Sequence, residues 1–147
     1  LIYFQTPAAE PSARRRRQDE IIAHALSPYR ERIRGVEAGR LTDLVEMRPL
    51  PGHTPGHSGL MIGAGTGERL FIVGDILHLP EVQLPHPEVT TSYDWDEALA
   101  AETRHATLAK AARDNILVAG MHFRWPAFSR VRRAGSLYAL EPEAAAV

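Results

Sequence analysis

The chain contains no cysteine among its 147 residues, which excludes a disulfide framework and a thiolate-rich structural zinc and leaves the redox compartment open. It has no apolar run approaching the ~18 residues that a membrane-spanning helix requires. It lacks the basic-then-apolar layout of a secretory signal at its start, and a cytoplasmic location is the expectation. Charge of one sign is also missing. Seventeen Lys and Arg face 18 Asp and Glu, a formal net charge of −1, so nothing global points to nucleic acid or an acidic membrane surface. The basic run Arg14–Arg17 is short, opens a helical pattern and is followed by Asp19 and Glu20, which describes a solvated helix face. No internal repeat or domain boundary is visible.

What remains is an ordinary globular composition, 44% hydrophobic and 24% charged, at a length that suits one domain. The informative excess is histidine, seven residues in all. A metal site here must be built from imidazole and carboxylate, which suits zinc, manganese or iron.

The periodicities alternate between strand and helix. Leu1–Gln5 reads as a strand stopped at Thr6-Pro7, and its abrupt opening suggests a chain entered in mid-fold. Residues 6–14 read as a loop, followed by a helix to about Leu26. Ser27-Pro28 reads as an N-cap and first helical position of a short helix over 28–34, with loop at Gly35 and Gly39. Leu44–Leu50 alternates as a strand, and Leu60–Ile62 and Leu70–Val73 form a hairpin around a glycine-rich turn. The proline-bearing segment 79–93 is a long irregular stretch of the kind that often serves function. Asp94 or Asp96 caps a helix to about Arg113, with Ala98, Ala101, His105, Leu108 and Ala112 along one stripe. Ile116–Ala119 is a short buried strand, Gly135–Leu140 a last one, and the tail from Glu141 frays. Mixed strands and helices in one domain give an α/β or α+β layered class.

Three motifs carry the chemistry: GHTPGHSG at 52–59, GDILH at 74–78 and AGMHF at 119–123. Pro55 and Gly56 keep His53 and His57 off a shared helical face, so the first motif is a loop that can aim His57, or a surface turn. Asp75 follows a strand and needs a partner if buried, either a metal or a turn that it caps. His122 lies just past another strand and is a ligand or a hydrogen-bonded edge residue. Together the three can converge at one sheet edge, outside the strand ends where open-sheet sites lie. His78 and Gln83 can face the same pocket, and Trp125 its wall. His86 reads as solvent-exposed, and His24 and His105 as structural.

The chain from its opening strand through Arg132 resembles the C-terminal half of metallo-β-lactamase-fold metallohydrolases. PGHTPGHSG at 51–59 is the most specific element of that likeness and GD at 74–75 the next. The resemblance implies an αββα sandwich of which this is one half, with a mixed sheet and flanking helices. It implies His57, Asp75 and His122 as metal ligands, Asp75 bridging two divalent ions and thereby catalytic, with His53 and His78 around them. Zinc is the expected metal, with manganese or iron as alternatives, and the activity implied is water attack on an ester, lactone or phosphotriester bond of a small molecule. Other activities compatible with the fold are a glyoxalase II-like thioesterase, a β-lactamase-like hydrolase or a di-iron oxidoreductase. A non-catalytic, metal-free relic is the reading from a different class. Segments 74–89, YDWD at 93–96 and 117–131 look most like the methyl parathion hydrolase subgroup. Arg124-Trp125 and Ala127-Phe128 depart from its smoother Pro-Phe-Pro-Gly pattern, which bears on substrate choice. The family's HxHxDH motif is nowhere in these residues, so a partial domain inactive by itself is expected. No nucleic acid or membrane partner is expected, and a homodimer is left open.

Overall fold

The computed structural model describes residues 13–63, 67–125 and 127–143. The strand expected at Leu1–Gln5 lies outside the described residues. The chain divides between Glu37 and Ala38 into two compact units.

In the first unit, helix α1 spans Ala13–Leu26 and carries the pair Arg15–Asp19 at 2.7 Å, one helical turn apart. The expected second helix is a tighter 3-10 turn over Ser27–Arg32, and Ser27 does not cap it. The reason is local: Leu26 keeps helical angles (φ −87°, ψ −19°), so the chain never takes the extended conformation that an N-cap side chain needs. Pro28 then removes a donor from the ladder, and the turn tightens.

The second unit is a seven-stranded sheet: β1 (Gly39–Arg40), β2 (Val45–Pro49), β3 (Ser58–Ile62), β4 (Leu70–Ile72), β5 (Leu117–Ala119), β6 (Phe128–Ala134) and β7 (Leu137–Pro142), in sequential order. Every neighbour pair is antiparallel except β4 and β5, which run parallel. Their connection carries a one-turn helix α2 (Pro80–Gln83) and helix α3 (Glu97–Arg113). The parallel step matters because it brings the ends of β4 and β5 side by side, Ile72 opposite Ala119. Gly39, expected in a loop, forms the edge strand with Arg40, and Phe128–Ala134 adds a strand that no periodicity marks. Glu141 and Pro142 complete β7 instead of fraying.

One face of the sheet is apolar across the strands. Met61, Phe71 and Val118 are direct cross-strand neighbours and almost fully buried. They pack into one core with Leu77, Leu108, Ala111, Ile116, Val131 and Tyr138. Helix α3 is capped by Asp96, whose Oδ1 accepts from Leu99 N at 3.0 Å. Its buried face is Ala100, Arg104, Thr107, Leu108 and Ala111, so the expected stripe is rotated by about one residue and His105 is exposed, edge-on to Tyr138 at 5.9 Å. Among the described residues no helix is long and apolar enough to cross a membrane.

Candidate metal centre

The site lies where β4 and β5 end and where the loop between β2 and β3 folds back over them. Gly74 turns the chain at the end of β4 with φ +59°, a left-handed conformation open to glycine. A Cβ there would lie 2.6 Å from His57 Nε2, so the same glycine makes room for the imidazole. His57 donates from Nδ1 to the Leu50 carbonyl (2.8 Å) and accepts at Nε2 from the Asp75 backbone N–H (3.0 Å). Those two bonds define a neutral tautomer, and burial pushes the His57 pKa down from its ordinary value against the opposing Leu50 carbonyl. His57 therefore grips the backbone of Asp75.

The Asp75 carboxylate faces two imidazoles. His53 Nε2 is 3.6 Å from Oδ2 and His122 Nε2 is 3.4 Å from Oδ1. His78 stacks on His122 with ring centroids 5.0 Å apart and lies tilted against His53 at 4.8 Å. Its Nδ1 is buried without a hydrogen-bond partner, and burial, with His53 second, lowers its pKa. Both His57 and His78 thus favour the neutral form, His57 with its lone pair already taken by Asp75 N. His53 donates from Nδ1 to Asp94 Oδ1 at 3.1 Å, and Asp94 is fully buried. His53, His78 and Asp94 each present a ligand atom within 4.8 Å of one another.

The sequence motifs thus meet at one place: His53, Asp75, His78 and His122 share a cluster, and His57 lies beneath it. Two expected pocket residues differ. Gln83 turns inward, its Oε1 accepting from His78 N (2.7 Å) and Leu79 N (3.1 Å) while Nε2 donates to the Val89 carbonyl (3.0 Å). Trp125 is 91% exposed, so it lines no wall formed by the described residues. His86 stands in solvent beside Glu88.

Two residues escape the sequence reading. Asp94 and Asp96 both precede α3; with Asp96 taking the cap, Asp94 is free to enter the site. Arg104 is 1% exposed and donates to the carbonyls of Ile76 (2.6 Å), Pro87 (2.7 Å) and Val89 (3.0 Å), with Nη2 3.6 Å from Asp94 Oδ2. The available signal was a charge at helical spacing from Ala100, Leu108 and Ala111.

No family model and no curated protein matches the chain. Solved structures do. The chain is 29% identical to the hydrolase AbOPH of the beta-lactamase superfamily, with a TM-score of 0.84 over 90% of this chain and 46% of that one. It is 23% identical to AidC, a dizinc quorum-quenching lactonase, with a TM-score of 0.78 over 86% and 43%. A probable metal-dependent hydrolase from Staphylococcus aureus matches at 15% identity and a TM-score of 0.53 over 76% and 40%. The fold is thus of the metallo-β-lactamase type, and the chain spans about half the length of the solved structures it matches.

Proposed function

We propose that these residues form one side of the metal centre of a hydrolase acting on an ester, lactone or phosphotriester bond, nearest to the methyl parathion hydrolase-like group. The observation that carries this reading is the crowding of imidazoles around a carboxylate at the strand ends, with His78 Nδ1 buried and unpaired. An orphaned buried nitrogen costs about 1–3 kcal/mol unless something satisfies it. A nitrogen-and-oxygen donor set of this kind fits a borderline divalent cation such as zinc. The likeness to a hydrolase at 29% identity points the same way.

Asp75, with His53 and His122 against its two carboxylate oxygens, would hold the metal. His57, expected as a ligand, has both ring nitrogens on backbone groups and would hold Asp75 in place. The remaining ligands would come from the part of the fold that these residues do not cover. A bound divalent ion supplies Lewis acidity and makes water a usable nucleophile near neutral pH. The chain's own task is positional. His57 fixes the Asp75 backbone, Gly74 lets the strand turn there, and His53 and His122 flank the two carboxylate oxygens. The metal-free scaffold is the competing reading, and its support is that His57 spends both ring nitrogens on backbone groups.

The test uses protein produced from its complete coding sequence, stripped with a chelator and then given zinc or manganese. Hydrolysis of an aryl ester, an acyl-homoserine lactone or a dialkyl aryl phosphotriester is expected to vanish on stripping and return with metal. No metal-dependent turnover of any of the three would overturn the reading.

A further inference from the structure

Behind the proposed ligand Asp75 lies a chain of polar contacts that ends in the core. Arg104, on the buried face of α3, has its guanidinium 3.6 Å from Asp94 Oδ2. Asp94 accepts from Thr91 N (3.2 Å) and from His53 Nδ1 (3.1 Å), and His53 Nε2 faces Asp75 Oδ2 at 3.6 Å. The backbone is stitched along the same line. Trp95 N and Asp96 N both donate to the Gly52 carbonyl (3.1 and 3.0 Å), and Trp95 N also reaches the His53 carbonyl (3.1 Å). Gly52 carries φ +124°, and a Cβ on it would run into the backbone of Leu99 and Ala100. The start of α3 is therefore seated directly on the loop that carries His53.

We infer that Asp94, anchored by Arg104, is a positioning residue that fixes the tautomer and orientation of the His53 ring, so that its Nε2 lone pair and Asp75 Oδ2 face one cation from two sides. A carboxylate can only accept from Nδ1, so Asp94 places the proton there and leaves Nε2 turned toward Asp75. With Asp94 fully buried and the Arg104 guanidinium bound to three carbonyls, neither partner can drift, and the orientation of His53 is set from the core. Asp94 touches neither Asp75 nor substrate in this scheme; it acts through His53. This inference rests on Asp75 serving as a metal ligand.

The test is a double-mutant cycle read as zinc affinity, measured by competition with a chromophoric chelator on the complete protein. Asp94→Asn is expected to weaken zinc binding about 10–100-fold, the usual consequence of losing a ligand's supporting partner. His53→Gln is expected to do the same, and the double variant to be no weaker than His53→Gln alone, because both remove one line of contacts. If Asp94→Asn fails to fold by circular dichroism, Asp94→Glu, which keeps the charge on a longer stem, takes its place in the cycle. Unchanged affinity in the Asp94 variant, or losses that add in the double variant, would overturn the inference. Absence of zinc binding by the unmodified protein would instead overturn the metal-centre reading on which it stands.

Discussion

Replacing Arg104 by methionine keeps most of the stem's packing and removes the guanidinium, so it isolates what the buried charge contributes. The Ile76 and Pro87 carbonyls lose a donor each, whereas Val89 O keeps its bond from Gln83 Nε2. Each orphaned carbonyl costs about 1–3 kcal/mol. Asp94, fully buried, loses its facing cation, and breaking such a pair costs about 3–5 kcal/mol. The terms overlap because the loop relaxes, so a loss of about 3–5 kcal/mol is expected, a large share of the 5–15 kcal/mol of roughly any domain's stability. With a urea m-value of about 2 kcal/mol/M, the unfolding midpoint should drop by roughly 2 M. Adding Asp94→Asn removes the stranded charge and should recover about 1 kcal/mol or more. Urea unfolding monitored by circular dichroism reads both quantities. A single-variant loss below about 1 kcal/mol, or no recovery in the double variant, would refute the account of Arg104 as the core anchor of the site.

Gly74→Ala must hold alanine at φ +59° with its Cβ against His57, and should cost about 1–3 kcal/mol while shifting the His57 ring resonances; unchanged spectra would contradict the contact. Burial holds the pKa values of His57 and His78 below 6.5, so protons bind the unfolded chain first as pH falls. The stability they contribute is present above pH 6.5 and lost as pH drops through the lower folded values. In metal-free protein the urea midpoint should therefore fall between about pH 7.5 and 5.5, less steeply in His57→Gln, and a flat profile would contradict this. Lys110, with Arg113 assisting, lowers the Asp114 carboxyl from 3.8 to about 2. Its contribution is present above pH 3.8 and lost as pH falls toward about 2, and Lys110→Ala should raise the midpoint in a carboxyl NMR titration.

The motifs that define the site were legible because each is a short-range pattern: a glycine, a strand end and one ligand-type side chain. The hairpin of β3 and β4 and the Asp96 cap were legible for the same reason. Strand β6 was not, since its sequence FSRVRRA places Arg130, Arg132 and Arg133 where alternation should be read. Arg130 and Arg132 are accommodated by partners distant in sequence, Glu143, Glu141 and Asn115, and Arg133 by the nearby Gly135 carbonyl. The rotation of α3 was hidden by alanines on every face; what chooses the face is Arg104, whose carbonyl partners lie 15–28 residues away. Asp94 and the backbone grip of His57 likewise depend on where the α3 start and the Gly74 turn meet the loop, a register no local pattern encodes.

The central claim is that a metal binds here, and the most direct measurement is a zinc titration of the stripped complete protein with elemental analysis of the saturated product. About two equivalents per chain are expected for a dinuclear centre, with substitution of Asp75 by alanine lowering that number. Saturation with no bound zinc, or zinc bound equally well without Asp75, would contradict the account.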